Sequence, residues 1–175
     1  MTGFKLKVIL RGNYNLRKRS LIERVVEDRF EKNYKLTVGV DILTKNIEYI
    51  HGETATLSIW DIADQPRFNF YRHLFYKGAS GAIINFDLTK EGMYTEAIKW
   101  LIDITKYIGF IPFILIGNNV QLLKKKEKRD VREKAREFVR DEGGIYIETS
   151  PKSVGTVNEA LRELIRKILE IQLTN

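Results

Sequence analysis

Apolar residues form short continuous runs at four places along the chain. Residues 4–10, 81–86, 112–117 and 145–149 are rich in Ile, Leu, Val, Phe and Tyr. Runs of this length, bounded by glycine or polar residues, are typical of strands, and the more continuous ones indicate burial on both faces. We therefore predict four strands that are separated by long connections.

Between these runs, apolar residues recur every three or four positions, which predicts amphipathic helices. This spacing covers residues 21–30, 97–108 and 157–169. A fourth and highly charged helix is expected over about residues 130–141. The glycine pair at 143–144 is expected to end it, because glycine commonly closes a helix.

Residues 41–60 have a different pattern. Two segments, 41–50 and 54–60, flank His51 and Gly52, a pair that indicates a hairpin turn. Alternating strands and helices predict a mostly parallel α/β sheet that is covered on both faces, and the hairpin adds one antiparallel strand. The length of 175 residues favours a single domain over residues 1–175.

Ligands of such sheets bind beyond the carboxyl ends of the strands. Four loops follow predicted strands and are therefore expected to meet at one edge of the sheet, whatever they bind. They comprise residues 11–19, 61–67, 117–121 and 149–152.

The net charge of +7 adds one alternative. A module that binds nucleic acid or an acidic membrane stays open on charge alone, but no RNA-binding signature is present and nucleic acid is not the expected partner. The densest basic segment, residues 124–129, lies between a strand and a helix, and a solvated loop is its simpler interpretation. The chain has no cysteine for a disulfide or for a prenyl or palmitoyl anchor. We expect a cytoplasmic location.

Several motifs stand in one familiar order along the chain. The loop GNYNLRKRS keeps Gly12 and Lys18 of the phosphate-loop pattern G-x-x-x-x-G-K-[ST]. SIWDIADQPRF resembles W-D-T-A-G-Q-E-R-F, and ETSPK resembles E-T-S-A-K. The segments LTVGVD, FYKGASGAIINFDLT and ILIGNNVQL resemble the intervening stretches of the same family. Over residues 4–171 the chain thus resembles a Ras-superfamily small GTPase of the Rab-like branch.

The resemblance implies a P-loop NTPase-type fold, which is a three-layer α/β/α sandwich. Its sheet has six mostly parallel strands with one antiparallel strand, and about five helices surround it. The resemblance also implies GTP or GDP and Mg²⁺ as ligands, and protein partners that bind the hairpin and the two switch segments. The first switch segment contains LTVGVD (residues 36–41), and the second begins within SIWDIADQPRF (residues 58–68).

The phosphate loop departs from the family pattern on the metal side. By resemblance, the residues of this loop that face the nucleotide are Gly12, Asn15, Arg17, Lys18, Arg19 and Ser20. Arg17 replaces a glycine, and Arg19 replaces the hydroxyl that binds Mg²⁺, although a guanidinium has no acceptor for a metal. Thr37 and Asp61 match the remaining metal-side residues. We hypothesise that Arg19 pairs with Asp61 where the metal would lie.

The second switch segment keeps Gln65, which matches the glutamine that orients the attacking water. However, Asp64 replaces the glycine that acts as the hinge of this segment and donates its amide to the γ-phosphate. The added carboxylate is expected to repel a triphosphate, and Pro66 is expected to stiffen the chain.

The base site is altered at three positions. Gln121 replaces the aspartate that recognises guanine, Asn119 replaces the lysine that stacks on the base, and Pro151 lacks an amide hydrogen. The matching residues of this site are Asn118, Asn119, Gln121, Ser150, Pro151 and Lys152. A site built on hydrogen bonds discriminates poorly when partners are missing.

Two interpretations of the whole chain follow. The first is a pseudo-GTPase, a regulatory protein with weakened or lost nucleotide binding that recruits protein partners. The second is an active GTPase, or a less specific NTPase, that tolerates these changes, because Lys18, Thr37, Asp61 and Gln65 are kept. An aromatic cluster near the second switch segment is open to two interpretations, core packing or a partner-binding face. Its members are Trp60, Phe68, Phe70, Tyr71, Phe75 and Tyr76.

Overall fold

The computed structural model describes residues 3–12, 39–150 and 154–174. The strands are Phe4–Gly12 (β1), Val40–Ile50 (β2), Glu53–Ile62 (β3), Gly81–Asp87 (β4), Phe113–Asn118 (β5) and Ile145–Thr149 (β6). Within these ranges the α-helices are Arg72–Tyr76 (α1), Met93–Ile108 (α2), Lys125–Glu142 (α3) and Val154–Thr174 (α4). Two short 3₁₀ helices, Pro66–Phe68 and Val120–Leu122, follow β3 and β5.

The six strands form one sheet in the order β2-β3-β1-β4-β5-β6. All neighbouring strands pair in parallel except β2 and β3, which are antiparallel and joined at His51 and Gly52. The predicted fold class is therefore confirmed, including its single antiparallel strand. Because β1 and β3 to β6 run in one direction, their carboxyl ends lie along one edge of the sheet.

The core has two parts, one on each face of the sheet. Along β1, Val8 and Leu10 pack with α4, whereas Ile9 between them packs with α2 and α3. This alternation is expected because successive side chains of a strand point to opposite faces. Leu164 on α4 and Ile104 on α2 are fully buried in the two parts. The result is a helix, sheet and helix arrangement in three layers.

One helix boundary differs from the sequence prediction. The third helix begins at Lys125, so most of the basic run interpreted as a solvated loop is helical. Lysine, arginine and glutamate are good helix formers, and a high charge therefore does not indicate a loop by itself. The predicted end is confirmed, since the amide of Gly144 donates to Val139 O at 2.8 Å and Gly143 has a φ of 71°.

Two further expectations concern the ends of the fold. The helix predicted over residues 21–30 lies outside the described residues. The closing helix is confirmed, and it is longer than its apolar stripe indicated.

In the part of the chain that the structure describes, none of the helices has the length and apolar character needed to cross a membrane.

Candidate functional site

Half of the residues predicted to form the site lie in the part of the chain that the structure describes. The structure describes Gly12, Asp61, Asp64, Gln65, Asn118, Asn119, Gln121 and Ser150. The others lie outside the described residues, and so does the hypothetical Arg19–Asp61 pair. They are Asn15, Arg17, Lys18, Arg19, Ser20, Thr37, Pro151 and Lys152.

Strand pairing brings the starts of all four predicted loops to one edge of the sheet. Gly12, the last residue of β1, is in register with Asn85 of β4, and Asp61 of β3 is in register with Leu10. Asn118, the last residue of β5, is in register with Thr149 of β6. The segments after β1, β3, β5 and β6 therefore start from neighbouring points of one edge, as the sequence predicts.

Asn118 joins three strands at this edge. Its side-chain amide donates to Asn85 Oδ1 on β4, and its Oδ1 accepts from the hydroxyl of Thr149 on β6. All three side chains are at least nine-tenths buried. Buried polar groups destabilise a fold unless they are hydrogen-bonded, so this set fixes the relative positions of the two loops that follow β5 and β6.

Asn119 turns into the protein. It has a left-handed backbone, with φ 65° and ψ 30°, and it is only 5% exposed. Its side chain hydrogen-bonds to Asp87, at the carboxyl end of β4. Burial raises the pKa of Asp87, but hydrogen bonds from Thr89 and Asn119 outweigh burial and hold that pKa below its ordinary value. Asn119 is therefore a structural partner of Asp87 in this arrangement.

Gln121 lies in the 3₁₀ helix Val120–Leu122 and is exposed. Ser150 is half-buried directly after β6. Two residues before Ser150, Glu148 receives two hydrogen bonds from Arg132 of α3, and it also accepts one from the hydroxyl of Tyr146 at 3.1 Å. This ion pair anchors α3 to β6 at the first residue of the ETSPK motif.

Gln65 precedes the 3₁₀ helix Pro66–Phe68 and has an extended backbone. Its side-chain Oε1 accepts a hydrogen bond from Arg67 Nε at 2.8 Å. Pro66 occupies the first helical position, where its missing amide hydrogen carries no penalty. The Phe68 ring packs over Gly39, which has a φ of 112°. A side chain at position 39 would therefore be strained, and this contact joins the start of β2 to the segment after β3.

Asp64 is an ion-pair partner of two arginines. Its Oδ1 accepts from Arg11 at 2.9 Å and from Arg72 at 3.0 Å. From the sequence alone, Asp64 is expected to repel a phosphate as an additional negative charge. The structure corrects the premise of that expectation, because two guanidinium groups compensate the carboxylate.

The family model of the Ras family matches residues 7–170 of this chain. Ras-related protein Rab-18-B of Danio rerio is 34% identical over 168 residues, which cover 94% of this chain and 80% of that protein. Ras-related protein Rab-7L1 of Homo sapiens is 33% identical over 169 residues, covering 93% of this chain and 82% of that protein.

This chain belongs to the Ras family. Ras-related protein Rab-32B of Dictyostelium discoideum is another similar relative, with 33% identity over 175 residues that cover 97% of this chain and 66% of that protein. The similarity extends through both faces of the sheet, so the resemblance in the motifs reflects membership of the family over nearly all of the chain.

Sequence reasoning missed one polar cluster of this Ras-family chain. Arg11, Tyr76 and Asp103 come together beneath Asp64, although they lie on β1, α1 and α2. One signal was present, since Arg11 follows the apolar run of β1 and a charge in a buried strand is costly unless it is paired. Nothing in the local sequence identified the partners.

Some members of the aromatic cluster of this Ras-family chain belong to the core, and others are exposed on the surface. Tyr76 is fully buried, and Trp60, Phe68 and Phe75 are half-buried. In contrast, Phe70 is 82% exposed and Tyr71 is 56% exposed, and their rings contact each other edge to face. Core packing therefore explains four members, whereas two stand on the surface.

Of the ligands that the resemblance implies, Mg²⁺ fits the described residues of this Ras-family site better than guanine does. Asp61 is half-buried on β3, and a carboxylate is a ligand that Mg²⁺ prefers. The described base-site positions do not fit guanine as well, because residues 118, 119, 121 and 150 carry amides and a hydroxyl but no carboxylate. Among the described residues, no group of three acidic or histidine side chains is placed to hold a metal ion.

Proposed function

We propose that this chain is a regulatory protein with a small-GTPase fold, a pseudo-GTPase in which binding of GTP and Mg²⁺ is weakened or lost. It acts through contacts with protein partners at the hairpin and the switch segments. The proposal includes the cytoplasmic location expected from the cysteine-free sequence.

One observation carries the proposal. Asn119 occupies the position at which the resemblance requires a lysine that stacks on the base. The residue is 5% exposed and its side chain is hydrogen-bonded to Asp87, so this side chain is not available to stack on a base. Gln121 beside it offers an amide in place of a carboxylate, which removes one acceptor for guanine. The substitutions at Arg19 and Pro151 act in the same direction.

The proposed partner surface includes exposed apolar residues beside the second switch segment. Phe70, Tyr71 and Leu74 are 82%, 56% and 59% exposed. Exposed apolar residues that occur together are typical of protein-binding sites, whereas single ones are ordinary. This surface stands next to Gln65 and Asp64, so a partner bound there would contact the carboxyl edge of the sheet.

A direct measurement of bound nucleotide tests the proposal. The purified full chain is denatured, and the supernatant is separated by chromatography to detect guanine or adenine nucleotides. We expect far less than one nucleotide per chain. One GDP per chain would overturn the pseudo-GTPase proposal and would support the alternative, an active GTPase that uses Asp61 and Gln65.

A gain-of-function variant makes the test sharper. The variant R17G/R19S/N119K/Q121D places the family residues at four positions of the same chain. We expect it to show a thermal shift with GDP and Mg²⁺, and we expect the unchanged chain to show none. A ligand at a hundred times its Kd stabilises a protein by about 2.7 kcal/mol, which is readily measured. Equal shifts for both proteins would contradict the proposal.

The partner surface is tested with a matched pair of variants. Phe70→Ser alters the proposed surface, whereas Phe110→Ser alters another exposed phenylalanine, which is 62% exposed and precedes β5 at the opposite edge of the sheet. We expect F70S to reduce partner capture and F110S to leave it unchanged, with both variants as stable as the original chain. Equal capture by both variants would contradict this surface.

A further inference from the structure

Arg11 is a buried cation in the centre of the sheet. It is the residue before Gly12 on β1, which has β3 on one side and β4 on the other, and it is 0% exposed. A guanidinium keeps its charge at all ordinary pH values. Burying an unpaired charge is very costly, so the surrounding residues must compensate Arg11 in the folded protein.

Three side chains compensate it. Arg11 Nη2 donates to Asp64 Oδ1 at 2.9 Å, and Arg11 Nη1 donates to the hydroxyl of Tyr76 at 2.6 Å. The Tyr76 hydroxyl donates in turn to Asp103 Oδ2 at 2.7 Å, and Asp103 lies 3.7 Å from Arg11 Nη1. Burial raises the pKa of Tyr76, and its bond to Asp103 raises that pKa further. The hydroxyl therefore remains protonated and available as a donor.

A second arginine joins the same carboxylate from outside. Arg72 Nη1 donates to Asp64 Oδ1 at 3.0 Å. The set contains two guanidinium groups, Arg11 and Arg72, and two carboxylates, Asp64 and Asp103, so its formal charges balance. It joins four separate parts of the chain: the end of β1, the segment after β3, α1 and α2.

The geometry makes Asp64 the exchangeable member of the set. Asp64 is 36% exposed, whereas Arg11 is 0% exposed and is held by the sheet. Together with Arg72 and Trp100, Asp64 also lines a cleft of about 380 Å³ between the segment after β3 and α2. If Asp64 moved away, Arg11 would keep only its bond to Tyr76 and the more distant Asp103. Displacement of Asp64 is therefore opposed by the buried charge that it would leave behind.

We propose that the buried Arg11 holds residues 64–76 docked against α2 in one conformation through its bonds to Asp64 and Tyr76, whatever ligand is present at the edge of the sheet. We call this pair of bonds the latch. Position 64 is where the resemblance places a hinge glycine. In this chain the hinge position instead carries the side chain that closes the latch. The latch goes beyond the proposed function, because it requires neither the presence nor the absence of nucleotide.

Hydrogen–deuterium exchange of the full chain, read by mass spectrometry, tests the latch. The variant D64A removes the exchangeable partner. We expect amide exchange in residues 64–76 to be at least about tenfold faster, which corresponds to about 1.4 kcal/mol of local opening. Exchange in β4 is expected to change less than twofold. Exchange of residues 64–76 within twofold of the original chain would overturn the proposal.

Two further variants separate the latch from a general loss of charge. E96A removes a carboxylate that lines the same cleft and pairs with exposed Lys99 at 2.8 Å, and it is expected to leave exchange in residues 64–76 unchanged. R11M removes the cation, and D64A is expected to speed exchange less in the R11M background than in the original chain, because both changes remove the Arg11–Asp64 bond, whereas only D64A removes the Arg72–Asp64 bond. Additive effects would contradict the latch. If R11M does not fold, the comparison of D64A with E96A still tests the latch, because only D64A is expected to speed exchange in residues 64–76.

Exchange measured with and without nucleotide distinguishes this proposal from the proposed function. Exchange of the original chain is measured alone, with GDP and Mg²⁺, and with a non-hydrolysable GTP analogue and Mg²⁺. We expect residues 64–76 to exchange equally in all three samples. A difference of more than about threefold between the GDP and the GTP-analogue samples would overturn the latch. One bound GDP per chain with unchanged exchange would overturn the pseudo-GTPase proposal alone.

Discussion

Asn118 shows at the residue scale how a motif residue contributes to the fold. Its amide group bonds to Asn85 and Thr149, so one side chain fixes the spacing of three parallel strands where two loops of the site begin. The same residue type on a surface would exchange these partners for water at little cost. Its burial is what makes the bonds important, because an unpaired buried acceptor destabilises the fold.

The value of this buried set is testable with two identical substitutions. Thr149→Val removes a hydroxyl that donates to a buried asparagine, and Thr56→Val removes a hydroxyl that donates to exposed Asn46 at 2.7 Å. We expect T149V to lower the free energy of unfolding by about 1–3 kcal/mol and T56V to change it by less than about 0.5 kcal/mol. Urea unfolding measures both, and equal effects would contradict the role of burial.

The stability of the fold is expected to depend on pH through Asp87. Its folded pKa is held below the ordinary value of 3.8 by the bonds from Thr89 and Asn119. A carboxyl whose folded pKa is depressed contributes stability above its unfolded pKa and loses it as the pH falls through its folded pKa. We therefore expect D87N to be less stable than the original chain at pH 7 and to lose less stability below about pH 4.

Chemical unfolding at a series of pH values measures this effect. Thr89→Ala removes the hydroxyl that donates to Asp87 Oδ1 at 2.6 Å. We expect this variant to lose less stability on acidification than the original chain, but more than D87N. The prediction fails if the acid sides of the original chain and D87N superimpose.

At the scale of elements, close packing at the strand and helix ends determines which residues are allowed. Gly144 connects α3 to β6, and a Cβ there would lie 2.3 Å from the Phe113 ring. Gly155 lies on the first turn of α4, and a Cβ there would meet no heavy atom within 4 Å. A substitution is therefore expected to be tolerated at Gly155 and not at Gly144.

Alanine at these two positions gives opposite results. We expect Gly144→Ala to destabilise the fold by about 1–3 kcal/mol, because the Phe113 ring must move. We expect Gly155→Ala to stabilise it by up to about 1 kcal/mol, because alanine favours a helix. Thermal unfolding of both variants checks the pair, and destabilisation by G155A of the same size as by G144A would contradict the packing argument.

At the scale of the whole molecule, one sheet carries both parts of the core. Leu164 on α4 and Ile104 on α2 lie on opposite faces and are both fully buried. The strands between them contribute alternate side chains to each face. Loosening of one face therefore removes support from the other face through the same strands.

This arrangement predicts a single cooperative unfolding transition. We expect L164A and I104A each to lower stability by about 2–5 kcal/mol, with an unchanged dependence on denaturant. Circular dichroism and the fluorescence of Trp60 and Trp100 are expected to report the same midpoint. Two separated transitions, or a variant that moves only one signal, would show that the faces unfold independently.

The sequence by itself determined the six strands, the hairpin, the long helices after β4, β5 and β6, and the edge at which the loops meet, whereas the short helix α1 was not predicted. Hydrophobic periodicity encodes these features locally: the run at 81–86 identifies a strand without any reference to its neighbours. The start of α3 was misjudged for the same local reason. Lys125 and the basic residues after it were interpreted by charge, although their helix propensity allowed the helix to continue.

Only the tertiary structure decided what the side chains at the site contact. The sequence identified Asp64 as unusual, but Arg11 lies 53 positions away, and Tyr76 lies 65 positions from Arg11. It identified Asn119 as a lost stacking residue, but not that its side chain turns inward to Asp87. Pairing across such separations depends on the strand order and on which face each side chain occupies. Local periodicity contains no information on either partner, and the fold therefore had to be known before the contacts of Arg11 with Asp64 and Tyr76 were visible.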